Sequence, residues 1–356
     1  MKRDGGGEGH EGKLILARGI FRLRRRRGAR NTVILGKRGA VQAPEQGDPR
    51  EPGPGVTRLR REDAAARPAT SAIPVEKWHA LGNDFLLVWD RTPLPAAKLA
   101  LLCHRHRGVG ADGVLFLQRQ GDSIRAQLYN ADGSPAEYSG NGLRCVIASA
   151  ILRQKPKERL LVTIGKLIFE GYLEDAKDDE GKPAGAQPVL VLDPLAFAPE
   201  IKTAPSDLFA TGPLAGVIDA DRAWAVKLGN PHLIMVVDDL AVVRTPAVAA
   251  ELDRLRGITR PFPHGINVSV VQAAGPGRVL INTWERGVGP TAACASAATA
   301  LFHLLRKKGM AGKSLAVVSP GGTLTLSEAP RALLLKGPVR RVLAGMVEAA
   351  ALEEAP

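Results

Sequence analysis

The residues able to do chemistry gather in two stretches, "EYSGNGLRC" (Glu137 to Cys145) and "WERGVGPTAACASA" (Trp284 to Ala297). Each sets a small nucleophile-type residue, Ser139 or Cys294, ahead of a run that reads as a helix. Such a residue stands at a helix N-terminus, where unpaired backbone N–H groups and the helix dipole favour negative charge. That setting lowers a thiol from its ordinary pKa of about 8.5, so Cys294 is expected to reach the thiolate near neutral pH. Ser139 is the puzzle. A hydroxyl is a far weaker acid than a thiol and needs help from a neighbour to act as a base.

Two facing helix N-termini would bind an anion. Backbone N–H groups of Gly140 and Asn141 on one side, and of Ala295 and Ser296 on the other, suit a carboxylate. Asn83, Asn130, Asn230 and Asn267 can hydrogen-bond a polar substrate. Glu285 offers a carboxylate for an ammonium, and Arg286 a guanidinium for a carboxylate. Together they describe a site for a small zwitterionic amino acid. Singly, each has a plainer reading: a cysteine before an apolar helix as core, Ser-Gly-Asn-Gly as a turn, Glu-Arg as a surface ion pair.

What shifts the balance is repetition. "LGNDFLLV" (Leu81–Val88) is echoed by "LGNPHLIMVV" (Leu228–Val237), and "GADGVLFLQ", ending at Gln118, by "HGINVSVVQ", ending at Gln272. "IRAQLYNADG" runs as a strand into a turn before Ser139, and "RVLINTWERGVG" does so before Cys294. The same elements in the same order argue for two copies of one supersecondary unit. Short, β-branched, turn-bounded strands with few helices predict an α+β fold of two pseudo-symmetric halves, with the site at their interface. Residues 74–210 form the first half, 211–345 the second and 346–356 a tail. "DAKDDEGKPAGAQP" (Asp175–Pro188) reads as an exposed hairpin loop in the first half.

The remaining residues, 1–73, differ in kind. They carry 17 Lys/Arg against 8 Asp/Glu, whereas residues 74–356 hold 32 against 28, so most of the net charge of +13 belongs to this leader. "FRLRRRRGARN" and "APEQGDPREPGPG" are compositions that rarely order themselves. A disordered or mistranslated leader, a tail for nucleic acid or an anionic surface, and a targeting segment are the three readings. The body lacks a basic stripe interleaved with aromatics, so it is not expected to bind nucleic acid. No apolar run is long enough to span a membrane. Three cysteines without CxxC spacing argue against disulfides or a zinc site and for a reducing, cytoplasmic compartment.

With these motifs in hand, the chain resembles the diaminopimelate epimerase family. "KWHALGNDF", "HRGVGADG", "NADGSPAEYSGNGLRC", "LGNPH", "FPHGIN" and "WERGVGPTAACASA" occur in family order, and the likeness covers roughly residues 74–340. The resemblance implies a pair of mirrored α/β halves, each a curled sheet around a helix. It also implies epimerisation of LL- to meso-diaminopimelate, for lysine and peptidoglycan precursors, without pyridoxal phosphate, metal or other cofactor. A thiolate takes the α-proton from one face while a thiol returns one to the other. On this likeness Cys294 is the second catalytic cysteine. Asn83, Asn130, Asn230 and Asn267, with the Gly140-Asn141 and Ala295-Ser296 amides, contact the substrate, and Glu285 and Arg286 grip its distal amino-acid group. His232 supports the thiols, and Cys145 is structural. A homodimer is compatible with this reading.

The departures from the family pattern bear on function. The first catalytic cysteine is Ser139, and Ala295-Ser296-Ala297 replaces Gly-Thr-Gly. The residues leave three forms open: an asymmetric Ser/Cys epimerase; a racemase, epimerase or dehydratase for another amino acid on the same scaffold; or a silent amino-acid binder.

Overall fold

A computed structural model of the chain describes residues 72–153, 159–177, 183–193, 199–258 and 262–353. The basic leader, apart from its last two positions, lies outside the described residues.

The first half opens with a hairpin, β1 (Ala72–Ala80), which largely alternates buried and less buried positions, and β2 (Asn83–Trp89), which is buried on both faces from Asp84 onward. Helix α1 (Ala96–Cys103) then carries the chain to β3 (Gly113–Gln120), parallel to β2. Strand β4 (Ser123–Asn130) returns antiparallel, and the short β5 (Pro135–Ala136) pairs on it. Helix α2 (Gly140–Arg153) makes a second crossover to β6 (Leu160–Ile164), parallel to β4. Strands β7 (Leu167–Lys177) and β8 (Pro183–Leu192) complete the half. Parallel neighbours cannot be joined by a tight turn, so each such pair demands a crossover of this kind.

After β9 (Glu200–Thr203) the plan repeats. Hairpin β10 (Ala223–Leu228) and β11 (Asn230–Val237) is followed by α3 (Pro246–Leu255), β12 (Asn267–Ala273) and β13 (Arg278–Glu285). Then come β14 (Gly289–Thr291), α4 (Ala295–Lys307), β15 (Ser314–Ser319), β16 (Gly322–Ala329) and β17 (Ala332–Lys336). Again β11 and β12 are parallel, as are β13 and β15. The fold is α+β, two repeated halves of mixed sheet with few helices.

The strand that follows each half crosses to the other. β9 pairs with β10, and β18 (Arg340–Glu348) pairs with β1, while β8 and β17 join the two sheets side by side. The expected loop at 175–188 is mostly strand, with Asp175 opposite Ala186 and Lys177 opposite Pro183.

Helix α2 is buried from Gly140 to Ala150. A helix enclosed on all sides must be apolar all round, which is why "LRCVIASAIL" shows no clean polar face. It and α4 share one core with strands of both halves, Leu143, Val146 and Ile147 lying in the same cluster as Leu301, Phe302 and Leu304. Two smaller cores lie under α1 (Leu99, Leu102, Val114) and α3 (Val248, Leu252, Val268).

Candidate active site

The two buried helices begin nose to nose. A Cβ built on Gly140 would stand 2.9 Å from the Cβ of Ala295, so the first turns of α2 and α4 touch across the junction of the halves. The first-half turn Leu81-Gly82 closes one flank. Gly82, at φ +91°, has backbone that L side chains avoid, and a Cβ there would lie 2.9 Å from that of Ala292. The turn can reach this close because it carries glycine.

Around this contact lies a cavity of about 650 Å³. Ser139, Gly140, Asn141, Asn83 and Asn130 line it from the first half, and Cys294, Ala295, Ser296, Asn230, Asn267, Glu285 and Arg286 from the second. Of the candidate catalytic, substrate-binding and supporting residues, His232 alone stands behind the wall, fully buried on β11 beside Asn267 on β12. Burial and the nearby Arg286 push its imidazole down to about 4, so it is neutral at physiological pH.

The helix starts differ. The Ser139 carbonyl accepts the Leu143 N–H at 2.8 Å, and its Oγ accepts the Gly142 N–H at 3.1 Å. Ser139 is therefore the N-cap of α2, a role serine fills well. Cys294 holds the matching position on α4, its Sγ 3.3 Å from the Ser296 Oγ and drawn on by the Ala297 amide. The serine oxygen thus spends one lone pair on its helix and keeps its proton for the cavity.

The thiol itself corrects an expectation. Burial holds the Cys294 pKa well above that of a free cysteine, and the Glu285 carboxylate beside it raises it further, against the pull of Ser296 and the Ala297 amide. Desolvation outweighs the helix N-terminus, so the resting group is a thiol. Glu285 is also held above the carboxylate range by burial, while Thr291 and Cys294 favour its charged form. Cys145 and Cys103, both pushed up by burial to about 12, lie away from the cavity.

Corresponding positions of the halves show where the acid–base groups sit. Phe85 faces Gly113 across β2 and β3, as His232 faces Asn267 across β11 and β12. Asn130 ends β4 where Glu285 ends β13, each at the same distance in sequence before its helix-start residue, Ser139 or Cys294. The titratable members, His232, Glu285 and Cys294, all belong to the second half. The first half presents Phe85, Asn130 and Ser139.

Sequence reasoning missed further cavity residues, Arg105, Asp112 and Tyr138 among them. Arg105 and Asp112 form a charged rim, joined at 2.7 Å, with Arg105 also on Asp84 at 2.8 Å. Tyr138 completes the wall, its phenol pushed up to about 12 first by burial and then by Cys294. Asp112 lay within a motif already singled out, "HRGVGADG", but spacing alone gave it no task.

The model of the family described as diaminopimelate epimerase matches residues 75–175 and 224–342. A diaminopimelate epimerase of Methanocella arvoryzae is 33% identical over 290 residues, covering 78% of this chain and 97% of that protein. This chain belongs to the diaminopimelate epimerase family. Another diaminopimelate epimerase, from Synechocystis, is 32% identical over 78% of this chain and 99% of its own length. Among solved structures, a Bacillus anthracis phenazine biosynthesis protein of the PhzF family shares the fold at a TM-score of 0.60 and 15% identity, covering 78% of this chain and 99% of that one. A hydroxyproline epimerase from Agrobacterium vitis does so at 0.50 and 17%, covering 78% and 92%. As a member of the diaminopimelate epimerase family the chain is an isomerase, an amino-acid epimerase that works without pyridoxal phosphate. No helix among its described residues is long and apolar enough to cross a membrane.

Proposed function

We propose that the chain epimerises LL-diaminopimelate to the meso form, with Cys294 and Ser139 as an unequal pair. The observation that carries the reading is the meeting of two helix N-termini at Gly140 and Ala295 with a thiol at one and a hydroxyl at the other. A substrate carboxylate set against the Gly140-Asn141 and Ala295-Ser296 amides takes up charge as the α-carbon is deprotonated. Asn83, Asn130, Asn230 and Asn267 orient the polar groups, and Arg286 holds the distal end, while Glu285 lies beside Cys294. The name carried by the curated relatives supports the substrate.

Glu285 takes the Cys294 proton, and the thiolate then takes the α-proton of the isomer presented to it. The C–H electron pair moves toward the carboxylate. Ser139, or a water on it, gives a proton to the opposite face and recovers one from solvent, while Glu285 releases to solvent the proton it took, which restores the resting carboxylate and thiol. In reverse, Ser139 or its water must serve as base, the slow step. His232, buried and neutral, supports the second-half wall rather than touching substrate.

A second reading, another amino acid as substrate, is favoured by the one feature that departs from a two-thiol site, Ser139 as helix cap. Incubating the protein with LL-diaminopimelate in heavy water separates the two. Inversion with one deuterium gained at the α-carbon supports the first. No inversion and no exchange, with turnover of a different amino acid, overturns it.

We place the enzyme in the cytoplasm, where its three unpaired cysteines stay reduced. A homodimer through β18 completes the reading. Among the described residues this strand pairs only with β1 and leaves Val342, Leu343 and Met346 exposed. Laid antiparallel on its copy about Ala344, it opposes Arg340 to Glu348 and Val342 to Met346. Met346→Lys should shift a dimer to monomer in sedimentation.

A further inference from the structure

Arg144 is the largest fully buried side chain in the molecule's described part, and among those residues no carboxylate pairs with it. Its Nε and Nη1 have no partner among the described residues. Burial pulls its pKa down to about 10, which still leaves it charged at neutral pH. A lone buried cation is costly to a fold, so its one bond is informative. Nη2 donates to Asn141 Oδ1 at 2.9 Å, which brings the guanidinium to the first turn of α2.

From there the donors all run one way. Asn141 Nδ2 donates to Asn83 Oδ1 at 3.1 Å and to the Ala293 carbonyl at 3.0 Å. Asn83 Nδ2 donates to Asp112 Oδ2 at 2.7 Å. Arg105 and the Asp84 N–H complete the shell of Asp112 at 2.7 and 3.0 Å. An arginine can only donate, and an ionised carboxylate can only accept. With Arg144 at one end and Asp112 at the other, neither amide between them can flip without losing a bond at both faces.

We infer that Arg144 and Asp112 are positioning residues that fix the amides of Asn141 and Asn83 at the anion-binding end of the cavity. Through Asn141 they also tie α2 to the peptide immediately before Cys294. The ends of the chain do not touch one another, yet each orients what the other holds. Aligned donors strengthen one another in a low-dielectric interior, and the site gains amide dipoles of set direction. Gly337 leaves room for this arrangement, since a Cβ there would lie 3.4 Å from Arg144 Nη1.

The test reads the side-chain amide resonances of Asn141 and Asn83 in the free protein by ¹⁵N–¹H NMR, which needs no substrate. Arg144→Met should move both signals, although Asn83 does not touch Arg144, and Arg144→Lys should restore most of the change. Asp112→Asn should move the Asn141 signal from the far end, and it serves alone if Arg144→Met is insoluble. Movement confined to the adjacent amide overturns the inference. The turnover arm rests on the proposed reading. There each variant should lose about tenfold in kcat/KM, the scale of one hydrogen bond, and the double variant should lose little more than either single. Losses that simply multiply overturn the inference as well. A wild type that does not turn over LL-diaminopimelate defeats the substrate reading and leaves the resonance arm to decide this one.

Discussion

Gly140 and Ala295 face each other with no room for one more methyl, since a Cβ on Gly140 would fall 2.9 Å from that of Ala295. Neither group can swing aside, because an alanine methyl has no rotamer to change. Gly140→Ala should therefore wedge the helix starts apart and cut activity by roughly a hundredfold, at a stability cost of about 1–3 kcal/mol for overpacking. Adding Ala295→Gly to that variant should recover most of both. Steady-state rates and denaturant midpoints of the wild type and the two variants check this. Failure of the second change to rescue would mean that the contact is incidental.

Ser139 is a cap as well as a candidate proton donor, so Ser139→Cys should move two quantities in opposite directions. Epimerisation should rise, by about 10²-fold on the scale of a positioned acid–base group. Stability should fall by about 1 kcal/mol as the Gly142 amide loses its acceptor. Ser139→Ala should lose the same cap energy and lower activity. Unchanged activity in both variants would remove Ser139 from the reaction.

The Glu285 carboxylate raises the thiol pKa of Cys294. Glu285→Gln removes that charge, so the thiol pKa falls and the iodoacetamide rate profile of Cys294 should shift to lower pH. Epimerisation should nevertheless drop, because the acceptor for the thiol proton is gone. Peptide mapping identifies the labelled cysteine, and substrate should protect it. A profile that moves upward or not at all would sever the link between the two residues.

His232 binds protons less readily folded than unfolded, at about 4 against an ordinary value of 6.5. Between those values the unfolded chain holds more protons, so stability should rise with pH across this window and level off above it. The shift corresponds to a contribution on the order of 3 kcal/mol, fully present above the unfolded value and lost as pH falls through the folded one. Urea titrations from pH 4 to 7.5 measure the slope. His232→Phe, which places the residue of the matching first-half position there, should flatten it.

Part of this protein was legible in the order of its residues. The echo of Leu81-Gly82-Asn83 in Leu228-Gly229-Asn230 announced two halves, because a repeated element repeats its turns and its apolar periods. Ser139 with Cys294, and Asn83 with Asn230, stood out as candidates for the same reason, each pair holding one place in the two copies, whereas Asn130, Asn267 and Glu285-Arg286 stood out by residue type and by the family motifs. Tertiary structure decided what lies between copies or depends on surroundings. That β9 and β18 exchange sides is a matter of long-range pairing, which no local pattern encodes. The protonation of Cys294 turns on how deeply it is buried and on a carboxylate from another element, and both opposed the helix-end argument. Arg144 reads as one charge in an apolar helix. Only packing shows that among the described residues it meets no acid and faces an asparagine that reaches across to the other half, because a side chain's partners are set by the fold around it.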